Sequence, residues 1–134
     1  MDDNEAMMAG LAAVGEAGVD IVPALFDRFF ARFPETRELF LSLEAATGRM
    51  TNETLEAMIG LATDEYWVET TVINFVDLHR NYGAIPMAQY AAFIDMTVNA
   101  LAEAAGTGWS AQAGAAWRRQ AERLKAMVEE ATAF

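Results

Sequence analysis

The side chains available for metal binding or nucleophilic chemistry are few. The chain has one histidine, His79, and no cysteine, so disulfides, thiol chemistry and cysteine-based zinc sites are excluded. With a single imidazole, a three-histidine zinc site is impossible as well. We find no phosphate-binding glycine loop, no Ser-His-Asp candidate and no paired carboxylates in a buried setting. Any chemistry beyond packing therefore depends on His79.

His79 continues an apolar helical stripe. Val72, Phe75, Val76 and His79 are three and four residues apart, so a helix places them on one face. A histidine in such a stripe either packs in the core, bonded to a carbonyl, or binds a metal or cofactor; the pattern alone favours packing. One imidazole can still be the only protein ligand of an iron whose other ligands are four porphyrin nitrogens, as in haem.

The composition limits the class of partner. The formal charge is −11, so phosphates of nucleic acids and anionic membrane surfaces should repel the chain. No apolar run approaches the ~18 residues of a membrane span. The N-terminal sequence MDDNEAMMAG is acidic where a signal peptide is basic. We therefore expect a soluble, cytoplasmic protein that binds neither nucleic acid nor membrane.

The elements that must position His79 are helices. Alternating strand patterns are almost absent, and Ala, Glu, Leu, Met and Arg dominate. We predict one all-α domain over residues 1–134 with about six to eight helices. The predicted helices cover about 3–16, 20–33, a short helix from Pro34, 52–63, 64–79, 86–105, and a last helix from Ser110 nearly to the end.

Capping residues and breakers set the predicted boundaries. Asp20 can cap the second helix, and Pro34 ends it because the residue before a proline is pushed out of the α region. Asn52 or Thr51 is the expected cap of the helix after the stretch EAATGRMTN, residues 44–52, which we predict to be a polar loop. Ser110 is the expected cap of the last helix.

Two segments in this order resemble the globin family. The first is FPETRELF, and about forty residues after it comes LHRNYGAIPMAQYAAFIDMTVNALAEAAGTGWSAQAGAAW. The chain looks closest to bacterial single-domain haemoglobins and to the haem domain of flavohaemoglobins. The resemblance implies a globin-like fold, haem b as cofactor, His79 as the iron ligand and Phe40 as the aromatic residue that stacks on the haem.

The resemblance also implies roles for other residues. Phe75 should lie under the ring, Ile85, Tyr90 and Ile94 should line the His79 side, and Phe26 falls at a position that faces bound gas. On the opposite side Met50 and Thr54 are expected, with Asn52, Leu55 and Met58 as alternatives. Arg80 and Arg49 are the expected partners of the propionates, with Asn81 and Tyr82 as neutral alternatives.

Two points remain open on this basis. The ring nitrogen of His79 that does not bind iron should bond a carbonyl near Phe75 or Val76, or else Tyr90 together with Glu129 or Glu130. Phe26 and Met50 carry no hydrogen-bond donor, so we expect weaker stabilisation of oxygen than in a pocket with His or Tyr; Thr54 offers one hydroxyl.

The resemblance implies a globin that reversibly binds a diatomic gas, oxygen and possibly NO or CO. A separate reductase would have to support any accessory nitric-oxide dioxygenase or peroxidase activity. One alternative is a haem-free globin-fold module for signalling or protein interaction. The other is a haem sensor or electron-transfer globin with Met50 or Met58 as sixth ligand. Nothing in the sequence predicts the oligomeric state.

Overall fold

The computed structural model describes residues 1–40 and 43–133. These residues form six α-helices and three short 3₁₀ segments, and contain no strand. The α-helices are α1 (Asp3–Ala17), α2 (Val22–Arg32), α3 (Leu43–Ala62), α4 (Trp67–His79), α5 (Met87–Ala105) and α6 (Ala111–Thr132). The 3₁₀ segments are Pro34–Leu39, Arg80–Tyr82 and Gly106–Gly108. The predicted all-α fold is confirmed.

Local chemistry sets most of the helix ends as predicted. The backbone N–H of Ala113 donates to the Ser110 hydroxyl at 3.0 Å, which caps α6. The predicted cap of α2 is wrong: the N-cap residue is Ile21, which makes no capping side-chain bond, and Asp20, one residue earlier, accepts from the N–H of Val22 at 3.0 Å. Gly18 ends α1 in the left-handed conformation, with φ of 69°. α2 ends at Arg32, two residues before Pro34.

The predicted loop at residues 44–52 is wrong, because α3 already begins at Leu43 and runs through this stretch. Asn52 and Thr51 are therefore interior helical residues and not caps. Thr47 and Thr51 are buried on this helix, and their hydroxyls are satisfied within it, because they donate back to carbonyls one turn earlier, at 3.2 and 2.9 Å. The result is a helix of 20 residues that forms one wall of the cavity described below.

The core lies where α1, α5 and α6 pack on one another. Trp117 of α6 is fully buried there, and its indole N–H donates to the carbonyl of Met7 at 3.2 Å. Gly10 lies against the ring of Trp109, where a Cβ would stand 2.8 Å from a ring carbon. α5 belongs to this core and also borders, together with α2, α3 and α4, the cavity described below.

Within the described residues no single helix combines the length and hydropathy that a membrane span needs. Helices α1 and α2 satisfy both criteria only when taken together, and they are bent by 103° at the break between them.

Candidate functional site

A cavity of about 380 Å³ lies between α2, the Pro34–Leu39 segment, α3, α4 and α5. This volume is within the range of ligand and cofactor sites in proteins. Most of its wall is apolar or aromatic. The lining residues are Phe29, Thr36, Leu39, Phe40, Ala45, Ala46, Arg49, Met50, Glu53, Thr54, Ala57, Phe75, Leu78, His79, Tyr82, Ile85, Gln89, Tyr90, Phe93, Ile94 and Leu124.

His79 is the last residue of α4 and lines this cavity in a half-buried position. Its Nδ1 lies 2.6 Å from the carbonyl oxygen of Phe75, one turn earlier on the same helix. A carbonyl only accepts, so Nδ1 carries the hydrogen, and in the neutral ring Nε2 then holds the lone pair. The ring is thereby oriented and keeps one nitrogen available as a ligand.

Aromatic rings surround the imidazole on its own side of the cavity. The centroid of the His79 ring lies 6.0 Å from that of Phe75 and 5.7 Å from that of Tyr90, both edge to face. Partial burial raises the pKa of the Tyr90 phenol, against the opposite effect of the nearby Arg80 charge. The phenol of Tyr90 therefore stays protonated at neutral pH. Ile85 and Ile94 line the same cavity, as expected for that side.

Phe40 and Phe26 differ in their access to the cavity. Phe40 lines the cavity, whereas Phe26 is buried behind it, with the two ring centroids 5.9 Å apart. Phe26 also packs on Phe30 and Phe93, at 5.6 and 5.3 Å between centroids. Phe26 was expected to face a bound gas, but it does not line the cavity. Phe40 and Phe29 line the cavity in its place.

On α3, Met50 and Thr54 line the cavity, whereas the alternatives Asn52, Leu55 and Met58 do not. Met58 is fully buried in the core, so the structure gives it no access to a ligand in the cavity. The hydroxyl of Thr54 donates to the carbonyl of Met50 at 2.8 Å. The α3 wall thus presents a thioether and a hydroxyl whose proton is already engaged.

The two arginines expected at the rim differ in position. Arg49 lines the cavity, is exposed, and makes no hydrogen bond, ion pair or ring contact within the described residues. Arg80 does not line the cavity; it pairs with Asp77 and donates to the carbonyl of Ala131 at 3.0 Å. Of the neutral alternatives, Tyr82 lines the cavity and Asn81 does not.

The second partner proposed for His79 is absent. Glu129 and Glu130 are exposed on α6, and the imidazole hydrogen goes to the Phe75 carbonyl. Among the described residues there is also no group of three or more His, Cys, Asp or Glu side chains that could hold a metal ion. His79 can therefore bind a metal only if that metal brings most of its ligands with it.

Eleven of the lining residues were missed from the sequence, among them Phe29, Phe93 and Leu124, from α2, α5 and α6. The helical spacing in the sequence could have indicated Phe29 and Phe93. Phe29 lies three residues after Phe26, and Phe93 three residues after Tyr90, so each shares a helix face with a residue that was named. Leu124 lies on α6, where the sequence offered only Glu129 and Glu130, as partners of His79 and not as lining residues.

The comparisons with known proteins agree with this architecture. The model of the family described as Globin matches residues 23–128. This range holds every residue that lines the cavity. No curated protein and no solved structure matches the chain significantly.

Proposed function

The chain belongs to the globin family, and from this we propose that it holds haem b in the cavity and reversibly binds a diatomic gas at iron ligated by His79. The single observation that carries the proposal is the orientation of His79 inside the cavity by the Phe75 carbonyl. This bond is the arrangement that directs the other imidazole nitrogen to a metal. The finer likeness to bacterial single-domain haemoglobins belongs to the same proposal and rests on the sequence segments.

The donor set and the walls fit a porphyrin. A single free imidazole nitrogen is what an iron with four porphyrin nitrogens requires from the protein. Phe40 and Phe75 supply aromatic faces, and the aliphatic side chains of Ile85 and Ile94 complete an apolar lining. Arg49 stands at the edge of the same cavity and provides a positive charge for propionates.

When bound, haem supplies an iron with one coordination position open to a diatomic gas. The residues of this chain orient the ligand nitrogen and exclude water. The Phe75 carbonyl accepts the Nδ1 hydrogen, which orients the His79 ring and raises its basicity as a ligand. The apolar walls exclude water, and they stabilise a flat apolar group because its apolar surface is buried against them. A reductase, if the cycle needs one, is a separate protein in this proposal.

Haem titration of the purified chain tests the proposal. We expect a sharp Soret band that saturates at one haem per chain and is lost in His79→Ala. Asn74→Ala is the matched control, because Asn74 is an exposed residue of the same helix that does not line the cavity. In His79→Gly, added imidazole should restore the band.

Two results would contradict the proposal. A wild-type Soret band in His79→Ala, with the helical circular dichroism unchanged, would mean that another residue ligates the iron. Failure of the wild-type chain to bind stoichiometric haem would instead favour a haem-free interaction module.

One observation favours a second candidate, a globin with methionine as sixth ligand. The thioether of Met50 lines the cavity, and Met/His ligation is found in electron-transfer haem proteins. The spectrum of the reduced, gas-free protein separates the two candidates. Five-coordinate iron supports gas binding, and a six-coordinate spectrum that disappears in Met50→Leu supports electron transfer.

A further inference from the structure

A shallow groove of about 290 Å³ lies between the end of α3 and the start of α4. This α3–α4 groove is lined by Glu56, Ile59, Gly60, Thr63, Glu65 and Trp67. We propose that it binds an arginine side chain presented by a basic partner protein. None of the groove residues lines the cavity around His79, so the groove is a separate site that does not depend on haem.

The indole ring of Trp67 forms one wall of the groove and is already fixed in place. A Cβ built at Gly60 would stand 2.9 and 3.0 Å from two carbons of this ring, so the ring lies directly against the backbone of α3. Trp67 is half-buried, and part of its ring therefore remains accessible. Because the ring is held before any ligand arrives, binding against it costs little further ordering.

The connection between the two helices is held by bonds to α3. The backbone N–H of Glu65 donates to the carbonyl of Gly60 at 2.8 Å, and the N–H of Thr63 donates to the carbonyl of Ile59 at 3.1 Å. These bonds fold the connection back over the end of α3. The backbone that carries Glu65 is thereby fixed at the edge of the groove.

Two carboxylates of the groove have no partner of their own. Glu56 and Glu65 are exposed, and neither side chain makes an ion pair or a hydrogen bond within the part of the chain that the structure describes. No lysine or arginine lines the groove. Arg123, which contacts the end of α3, is engaged with other groups: it donates to the carbonyl of Leu61 at 2.8 Å and pairs with Asp64 at 3.7 Å. The groove therefore presents negative charge without a cation.

This combination of an aromatic ring and carboxylates matches a guanidinium. A planar guanidinium stacks on an indole face and donates to carboxylates at its edge, whereas the ammonium of lysine cannot stack. Anionic groups would be repelled by Glu56 and Glu65. The volume of the groove is below that of most ligand sites, so it suits one side chain better than a cofactor.

The neighbouring Tyr66 favours a protein as the source of this arginine. Tyr66 is 91% exposed, more than any other large hydrophobic residue among those described. So exposed a ring contributes little to the packing of the monomer, and tyrosine is enriched at protein interfaces. The net charge of −11 favours a partner whose contact face is basic, because opposite charges steer association.

Titration of the full chain with small probes tests the proposal. The probes are a blocked tripeptide with arginine between two glycines, the same tripeptide with lysine or citrulline at its centre, and free arginine. The readout is the indole N–H signal of Trp67 in ¹⁵N–¹H spectra, with that of the fully buried Trp117 as internal reference.

We expect the arginine tripeptide to shift the Trp67 signal to saturation and to leave the Trp117 signal unchanged. Citrulline has the shape of arginine without its charge, so its tripeptide should give no saturable shift. The lysine tripeptide should bind more weakly because its ammonium does not stack. Free arginine should also bind more weakly, since it carries a carboxylate into an acidic groove.

A double variant, Glu56→Gln/Glu65→Gln, removes both carboxylates of the groove at exposed positions. We expect it to weaken binding of the arginine tripeptide roughly fourfold to twentyfold, the size of two exposed ion pairs, and the loss should shrink at high salt. Glu5→Gln/Glu16→Gln is the matched control, because it makes the same charge change at two exposed residues of α1 that do not line the groove. Its affinity should stay within about twofold of the wild type. Circular dichroism confirms that both variants are folded.

Four results would overturn the proposal. Saturable binding of the citrulline tripeptide, or equal affinity for the lysine tripeptide, would mean that the groove does not recognise a guanidinium. An equal loss in the two double variants would assign the effect to net charge and not to the groove. Tighter binding of free arginine than of the tripeptide would replace the partner protein by a small molecule. All of these measurements are made without haem, so their failure is distinct from failure of the chain to bind haem.

Discussion

The Nδ1 atom of His79 and the carbonyl oxygen of Phe75 are 2.6 Å apart, across one turn of α4. The bond determines which nitrogen of the ring is free, because the carbonyl can only accept. It uses the backbone of the helix that carries the histidine, so no other element has to be in place for the imidazole to be oriented. The ligand nitrogen is thus prepared before any cofactor enters.

The first prediction concerns the tautomer of this ring. In the haem-free chain the neutral imidazole should be in the Nδ1–H form, the less common form in water, because the Phe75 carbonyl accepts from that nitrogen. Long-range ¹⁵N–¹H correlation spectra of ¹⁵N-histidine-labelled protein measure this directly. The signal is unambiguous, since the chain has one histidine. A dominant Nε2–H tautomer would refute the bond and with it the orientation of the ligand nitrogen.

The sequence predicted α4 and its apolar face well because both depend on short-range spacing. Phe75 and His79 are four residues apart, and this spacing alone places them on one side of a helix. Of the two partners predicted for the imidazole, the carbonyl near Phe75 or Val76 needs only local geometry, and it is confirmed. Tyr90 and Ile94 line the cavity as expected, since their face on α5 also follows from periodicity.

The parts that were missed depend on packing between elements. Whether Phe26 or Phe29 reaches the cavity depends on how α2 rotates against Phe93, at 5.3 and 5.5 Å between centroids, and no pattern within α2 contains that rotation. The start of α3 was missed for a different reason. Gly48 and the threonines have low helix propensity, and the burial of Thr47 and Thr51 against the rest of the chain is visible only in the folded structure.

The second prediction concerns the contact that sets α4 against α3. Gly60 leaves no room for a side chain: a Cβ would stand 2.6 Å from a methyl group of Val68 and 2.9 Å from the Trp67 ring. Gly60→Ala should therefore lower the free energy of unfolding by about 1–3 kcal/mol, the usual cost of overpacking. Urea denaturation followed by circular dichroism measures the change.

Gly48 is the matched control for this prediction. It lies on the same helix, and a Cβ there would meet no atom within 4 Å. Gly48→Ala should raise stability by about 0.5–1 kcal/mol through helix propensity alone. Equal effects of the two substitutions would show that the close contact at Gly60 does not exist in solution.

The third prediction concerns acid stability. The side chains of Arg119 and Gln120 bond the Asp3 carboxylate, and the Arg119 bond in particular holds the pKa of Asp3 below its ordinary value of 3.8. A carboxyl whose folded pKa is lowered stabilises the fold above its unfolded pKa, and that contribution is lost as pH falls through the folded pKa. Asp3→Asn should thus be less stable than the wild type at neutral pH, and the difference should shrink towards about pH 3 and below.

Asp27→Asn is the control for the acid prediction. It makes the same charge change at an exposed residue that has no hydrogen bond or ion pair within residues 1–40 and 43–133. Its urea midpoint should follow the wild-type pH curve. A gap between Asp3→Asn and the wild type that stays constant down to low pH would mean that the pairing with Arg119 is not the cause.

The last prediction concerns Arg49. The chain has nine basic residues against twenty acidic ones, and among the described residues every other basic side chain has a carboxylate, amide, carbonyl or ring as partner. Arg49 stands at the cavity edge without one. The two propionates of a haem in this cavity would need a nearby cation, because the chain is strongly acidic. Arg49 can pair with one of them without first leaving another ion pair.

Arg49→Met should therefore weaken haem binding about twofold to fivefold, the range of an exposed ion pair, and the loss should shrink at high salt. The rate of haem transfer to an excess of a tighter-binding acceptor protein measures the change. Arg28→Met is the control, because Arg28 pairs with Glu103 at 2.6 Å on the surface and does not line the cavity. If both variants release haem at the same rate at low salt, then Arg49 holds no propionate, and the carboxylates must be neutralised by water and counterions.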